Sequence, residues 1–231
     1  MRLTSDPSSE VSGVWLPDGR RVIFAAERDG PPHLFQKDLE TGTETELLPA
    51  KQRRQAPTDI SPDGRTVAFE QISERGDYDL WTLPLNGTRQ AAPLMASAFN
   101  ERGLRFSPDG QFVAFTSDES GRTEIYVALL SVLSARTRVS NGGGLAAQWS
   151  PNGHELFYMS ADGNVMAVPV RTTPSLEIGV PLRLFAIQGK WPWRDFDVSR
   201  DGKRFLAIVP QLMANEQALT AVLNWPAQIR Q

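Results

Sequence analysis

The chain has 231 residues with 24 basic and 27 acidic side chains, a net charge of −3, which argues against a strongly basic nucleic-acid binder. It has no cysteine, so disulfide frameworks, thiolate zinc sites, iron–sulfur clusters and cysteine nucleophiles are excluded. No apolar run approaches the roughly 20 residues of a membrane span, and the opening Met1-Arg2-Leu3-Thr4-Ser5-Asp6 lacks the apolar core of a signal peptide.

Taken in chain order, the elements repeat. The first repeat (10–50) holds a short strand ending in Val14-Trp15, the turn Leu16-Pro17-Asp18-Gly19, the apolar runs Val22-Ile23-Phe24 and His33-Leu34-Phe35, and a polar strand Glu44–Leu48. The second (55–95) has Asp59-Ile60, Ser61-Pro62-Asp63-Gly64, Val67-Ala68-Phe69 and Asp79–Leu83. The third (101–140) has Arg105-Phe106, Ser107-Pro108-Asp109-Gly110, Phe112–Phe115, Glu124–Val127 and Arg136–Val139. The fourth (145–186) has Gln148-Trp149, Ser150-Pro151-Asn152-Gly153, Leu156-Phe157-Tyr158 and Asn164–Val168. The fifth (193–231, completed by 1–5) has Asp197-Val198, Ser199-Arg200-Asp201-Gly202, Phe205–Ile208 and Leu219–Trp225.

Successive turn glycines lie 45, 46, 43 and 49 residues apart. Proline pre-sets φ at the first central position of a type I turn. Asp or Asn follows and bonds nearby backbone amides, and glycine takes the left-handed conformation. This predicts a three-residue hairpin loop, a type I turn closed by a glycine bulge. The apolar runs are continuous rather than alternating, which predicts burial on both faces. A four-stranded sheet with two apolar faces must be packed against neighbours. The expected fold is therefore an all-β, five-bladed β-propeller of four-stranded antiparallel blades, one domain over residues 1–231. Met1–Thr4 is expected to supply the missing fourth strand of the last blade. The alternative is a fragment of a six- or seven-bladed propeller.

The motif Ser-Pro-Asp-Gly-Arg-x-Val-Ala-Phe followed by Asp-Leu-Trp, clearest at residues 61–83 and 107–129, resembles the TolB-like propeller repeat, the Pro-Asp-Gly cousin of the WD repeat. The tail Val222-Leu223-Asn224-Trp225-Pro226 is also similar to the end of TolB-like propellers behind bacterial serine/threonine kinase domains. The resemblance implies a sensor or interaction region of a larger signalling protein and an extracytoplasmic setting. It also implies an alternative, the substrate-gating propeller of a prolyl-oligopeptidase-like enzyme separated from its hydrolase domain.

Antiparallel blades put the Pro-Asp-Gly turns on one face and the variable loops on the other, where binding is expected. Arg54, Arg102, Arg105 and Arg194 are candidates to receive an acidic peptide. Trp191 and Trp193 are either an aromatic anchor for a partner or packing between the last two blades. Trp15, Trp81, Trp149 and Trp225 read as core, and His33 and His154 as surface residues. Nucleophile-elbow, phosphate-loop and zinc-helix motifs are absent from the sequence. The expectation is a monomeric, non-catalytic scaffold for a protein or peptide partner. No nucleic acid, membrane insertion, metal or cofactor is expected.

Overall fold

The structure is a computed structural model that describes residues 4, 6–49, 53–187, 196–208 and 219–223. Among these residues every regular element is a β-strand. The chain divides into two compact units, Met1–Phe106 and Ser107–Gln231.

In the first unit, β1 (Glu10–Trp15), β2 (Arg21–Ala26), β3 (His33–Asp38) and β4 (Glu44–Leu48) pair antiparallel in chain order. A second sheet repeats this order with β5 (Gln55–Ile60), β6 (Thr66–Ile72), β7 (Tyr78–Pro84) and β8 (Ala92–Met95). The last strand of the unit, β9 (Glu101–Phe106), runs beside β5, where the Phe106 amide donates to Asp59 Oδ2 at 2.7 Å.

The second unit contains β10 (Phe112–Ser117), β11 (Glu124–Leu129) and β12 (Val132–Arg138), again antiparallel in chain order. Next come β13 (Gly144–Trp149), β14 (Glu155–Ser160) and β15 (Asn164–Arg171). β15 pairs with two short outer strands, β16 (Glu177–Ile178) and β17 (Leu182–Ala186). Pro181 lies in the break between these two strands, and proline cannot donate to a ladder. The last sheet joins β18 (Phe196–Val198), β19 (Arg204–Ile208) and β20 (Leu219–Leu223).

The central strands are buried on both faces. Ile23 and Leu34 share one cluster with Val67, Phe69 and Leu83. Val22, Phe24, Ala26 and Phe35 form another from the alternate positions of the same strands. In the second unit, Leu156 and Tyr158 pack with Ile125 and Val127, while Phe157 and Met159 join Phe196 and Phe205. Each buried Val, Leu, Ile, Phe or Met side chain contributes about 1.5–3 kcal/mol of apolar burial, and a sheet on its own would leave half of it exposed.

The five turns share one geometry. Gly19, Gly64, Gly110, Gly153 and Gly202 all sit at φ between 66° and 73°. Each glycine amide donates back to the carbonyl three residues earlier, as in Gly64 N–H to Ser61 O at 2.8 Å. The loop is longer than the three-residue form expected. Ser61 N–H bonds Thr66 O at 2.9 Å, leaving four residues between them. The Ser61 carbonyl is already taken by Gly64, so the Thr66 amide donates to Ser61 Oγ at 2.9 Å, and Ser61 Oγ donates to Asp63 Oδ1 at 2.6 Å. Serine is therefore a working part of the turn. Turns within a unit also touch. Pro17 Cδ lies 3.4 Å from where a Cβ on Gly64 would stand, and Pro108 and Pro151 abut Gly153 and Gly202 in the same way.

Two expectations about single residues are corrected. Trp149 is buried and Trp81 half-buried, but Trp15 is 52% exposed at the end of β1. His33 is buried rather than on the surface. Its Nδ1 faces the Pro31 carbonyl at 3.1 Å, its Nε2 lies 3.3 Å from Glu46, and its ring lies 4.6 Å from that of Phe35. Trp225 and Met1–Leu3, most of the expected sealing strand, lie outside the described residues.

Candidate functional site

In each sheet, the connections opposite the turns are the loop from second to third strand and the segment entering the next first strand. In the first unit these are residues 27–32, 73–77, 53–54 and 96–100. Buried polar side chains collect at the strand ends that meet them: Gln55, Glu70, Gln71, Asp79 and Glu101.

Glu70 comes from β6 and reaches β9. Its Oε1 accepts the Gly103 amide at 2.8 Å, and its Oε2 accepts Arg102 Nε and Nη2 at 3.1 and 3.0 Å. Gly103 sits at φ 62°, so the carboxylate holds a left-handed kink in β9. The Arg102 guanidinium also covers the Tyr78 ring at 4.0 Å. Arg105 Nη1 donates to the Thr58 carbonyl of β5. Arg53 pairs with Glu74 at 2.6 Å, and Arg75 pairs with Asp77 at 3.1 Å and donates to the Ser97 carbonyl. Arg54 is exposed, and its guanidinium makes no hydrogen bond or ion pair among the described residues. Of the arginines expected to attract an acidic ligand, Arg102 is matched by a carboxylate of the same chain, Arg105 donates to a backbone carbonyl, and Arg54 stands apart.

Beside this network, Gln55, Gln71 and Asp79 face one another across β5, β6 and β7. Gln55 Nε2 donates to Gln71 Oε1 at 3.1 Å. Gln55 Oε1 and Asp79 Oδ1 are buried with no hydrogen-bond partner among the described residues. Burial first, and then the nearby Asp77 charge, raise the Asp79 carboxyl above the usual aspartate value.

The second unit uses the same device. Glu124, buried at the start of β11, accepts the Gly142 and Gly143 amides at 3.0 and 3.1 Å and takes the Ser140 hydroxyl at 2.5 Å. A Cβ on Gly144 would stand 2.7 Å from Ser140 Oγ and 2.8 Å from Ile125 Cγ1. The segment entering β13 is therefore held by a buried carboxylate and closed to any larger residue. Composition alone did not mark these glutamates. For Glu124 the usable signal was an acid at a strand start ahead of the glycine run 142–144; for Glu70 no local signal existed.

Arg102 and Arg105 lie on β9, with Arg54 on the segment entering β5, all in the first unit. Trp191, Trp193 and Arg194 lie outside the described residues. Among the described residues, no three of His, Asp and Glu stand together as a metal site, and no helix is long and apolar enough to cross a membrane.

Comparison with known proteins follows the same lines. An uncharacterized protein of Agrobacterium fabrum, Atu1656, is 27% identical over 157 residues, covering 63% of this chain and 53% of its own length. The Tol-Pal system protein TolB of Francisella tularensis is 26% identical over 167 residues, 69% of this chain and 37% of that protein. Among solved structures, TolB from Acinetobacter baumannii superposes with a TM-score of 0.75 at 21% identity, over 96% of this chain and 53% of that one. The chain thus spans about half or less of the length of these relatives. The fold is also shared by enzymes. A gluconolactonase from Xanthomonas campestris matches at TM-score 0.65 and 15% identity, over 90% of this chain and 72% of that one. A puromycin-hydrolyzing peptidase of Mycobacterium tuberculosis matches at 0.62 and 21%, over 86% and 35%. The TolB beta propeller domain profile matches residues 34–177, more than half of the chain, and the chain belongs to that family.

Proposed function

We propose that this propeller is a non-catalytic scaffold that engages a protein or peptide partner through the loop ends opposite the Pro-Asp-Gly turns, as the interaction part of a larger protein. One observation carries the reading. The turn ends repeat one self-satisfied hairpin, whereas the loop ends differ from sheet to sheet and are pinned by the buried carboxylates Glu70 and Glu124. Burying a carboxylate to fix an otherwise variable loop costs solvation, and the return is a pre-organised surface that loses little entropy on binding.

Arg54 is an exposed cation of this surface in the first unit with no hydrogen bond or ion pair from its guanidinium among the described residues. Arg102 and Arg105 shape β9 beneath it, and Trp191, Trp193 and Arg194 are further contacts in the proposal. The test is affinity capture with the native chain, with Arg54→Glu and Trp193→Ala, and with Asp63→Asn at the turn end. The expected result is that the first two variants lose a partner that the native chain and Asp63→Asn retain. Unchanged recovery by Arg54→Glu and Trp193→Ala would reject this face.

The likeness to the puromycin-hydrolyzing peptidase, of which this chain spans 35%, favours a second reading, a substrate-gating propeller next to a hydrolase domain. A hydrolase domain encoded in the same reading frame would decide for it.

A further inference from the structure

The chain contains three Asn-Gly steps, Asn86-Gly87, Asn141-Gly142 and Asn152-Gly153. All three asparagines are exposed, and all three glycines have left-handed backbones, at φ 73°, 101° and 73°. Neither accessibility nor the missing Cβ that makes such steps reactive separates them. Hydrogen bonding does.

At Asn152 both reacting groups are engaged. The Gly153 amide donates to Ser150 O at 2.9 Å. The Asn152 side-chain oxygen accepts the Ser150 hydroxyl at 2.7 Å and the His154 amide at 3.0 Å. At Asn141 the nucleophile is engaged, because the Gly142 amide donates to Glu124 Oε1 at 3.0 Å. At Asn86 neither group is held among the described residues. The strand bonding stops one residue earlier, where the Leu85 amide donates to Arg65 O at 2.8 Å, and residues 86–88 form an exposed bend.

We propose that Asn86 is a site of spontaneous, fold-selected deamidation, a covalent modification site in the β7–β8 connection. The deprotonated Gly87 backbone nitrogen attacks Asn86 Cγ. The new N–Cγ bond forms, the Cγ–Nδ2 bond breaks, and Nδ2 leaves as ammonia, taking back through water the proton that the Gly87 amide gave up. Water then opens the resulting succinimide at either carbonyl, giving an aspartyl or isoaspartyl residue and one new negative charge. No oxidant or cofactor is needed. At the other two steps a hydrogen bond must first open, and each such bond lowers the reactive population by up to about tenfold.

The test is incubation of the folded chain in mildly alkaline buffer, followed by tryptic peptide mapping. Asn86 falls in peptide 76–89, and Asn141 and Asn152 both fall in peptide 139–171, where fragmentation separates them. The expected result is isoaspartate and the amide-to-acid mass gain at Asn86, ahead of Asn141 and Asn152 by several-fold, up to about tenfold for each bond that must open. In concentrated urea the three rates should converge. In folded Glu124→Ala, Asn141 should speed up while Asn152 does not. If that variant fails to fold, the urea comparison still decides. Equal native rates at the three steps, or an Asn86 lead that persists in urea, would overturn the proposal.

Discussion

Leu16 stands where the other four turns carry serine, and the chain shows what replaces the hydroxyl. In turns two to five the serine oxygen takes the amide of the residue that opens the next strand, as Ser107 Oγ takes Phe112 N–H at 2.9 Å. In the first turn Asp18 Oδ1 takes both the Arg20 and the Arg21 amides, at 2.9 and 3.0 Å. Ser107 is buried, so Ser107→Ala strands the Phe112 amide and is expected to cost about 1–2 kcal/mol. Ser199→Ala should cost less, because water reaches the exposed Arg204 amide. Urea unfolding midpoints of the two variants test the order. Asp79 poses the opposite problem. Its carboxyl is raised by burial, so the ionised form opposes folding at neutral pH. That penalty is relieved as pH falls through the raised folded value toward the unfolded value of 3.8. Asp79→Asn is therefore expected to raise Tm at pH 7, with the gain shrinking toward pH 4. A lower Tm at pH 7 would show that the carboxylate has a partner.

At the scale of the element, the carboxylate clamps matter most. Removing Glu70 would leave the Gly103 amide and the Arg102 guanidinium without their acceptor, so Glu70→Ala is expected to cost about 3 kcal/mol. Gly144→Ala should be destabilising for a steric reason, since both Ser140 and Ile125 would have to move. Thermal melts of the two variants check both. The strands themselves were legible in the sequence, because Pro-Asp-Gly fixes the hairpin and runs such as Val67-Ala68-Phe69 can only be buried on both faces. The clamps were harder to read. Glu70 acts on Gly103, a contact 33 residues away in sequence, and no local pattern encodes it. His33 was misread for a related reason: its partners Pro31 and Glu46 are supplied by the loop before it and by the next strand. Arg102 and Arg105 read in the sequence as part of the linker entering a strand, whereas β9 already begins at Glu101, and their carboxylate and carbonyl partners could not be seen from composition.

Across the whole chain, repetition turns a small local effect into an acid response. Hydrogen bonds from the turn residues hold the Asp63 and Asp201 carboxyls below the ordinary value, the serine hydroxyl first in each case. In Asp18 the Arg20 amide leads. Asp38 is lowered to about 2, first by its bond to Arg20 and then by the Thr41 amide. A carboxylate with a depressed folded pKa stabilises the fold fully above its unfolded value, and that stability is lost as pH falls through the folded value. Asp18, Asp63 and Asp201 are exposed and Asp38 is half-buried, so salt and water screen each one, but they act in the same direction. The expected result is a flat urea midpoint down to about pH 4 and a steady decline from there to about pH 2. Asp79 runs against this trend and should blunt it near the upper end. The Asp38→Asn variant should be less stable than the native chain at pH 7 and converge with it near pH 2. A native midpoint that stays level through that window would mean the turn carboxylates titrate alike in the folded and unfolded chain.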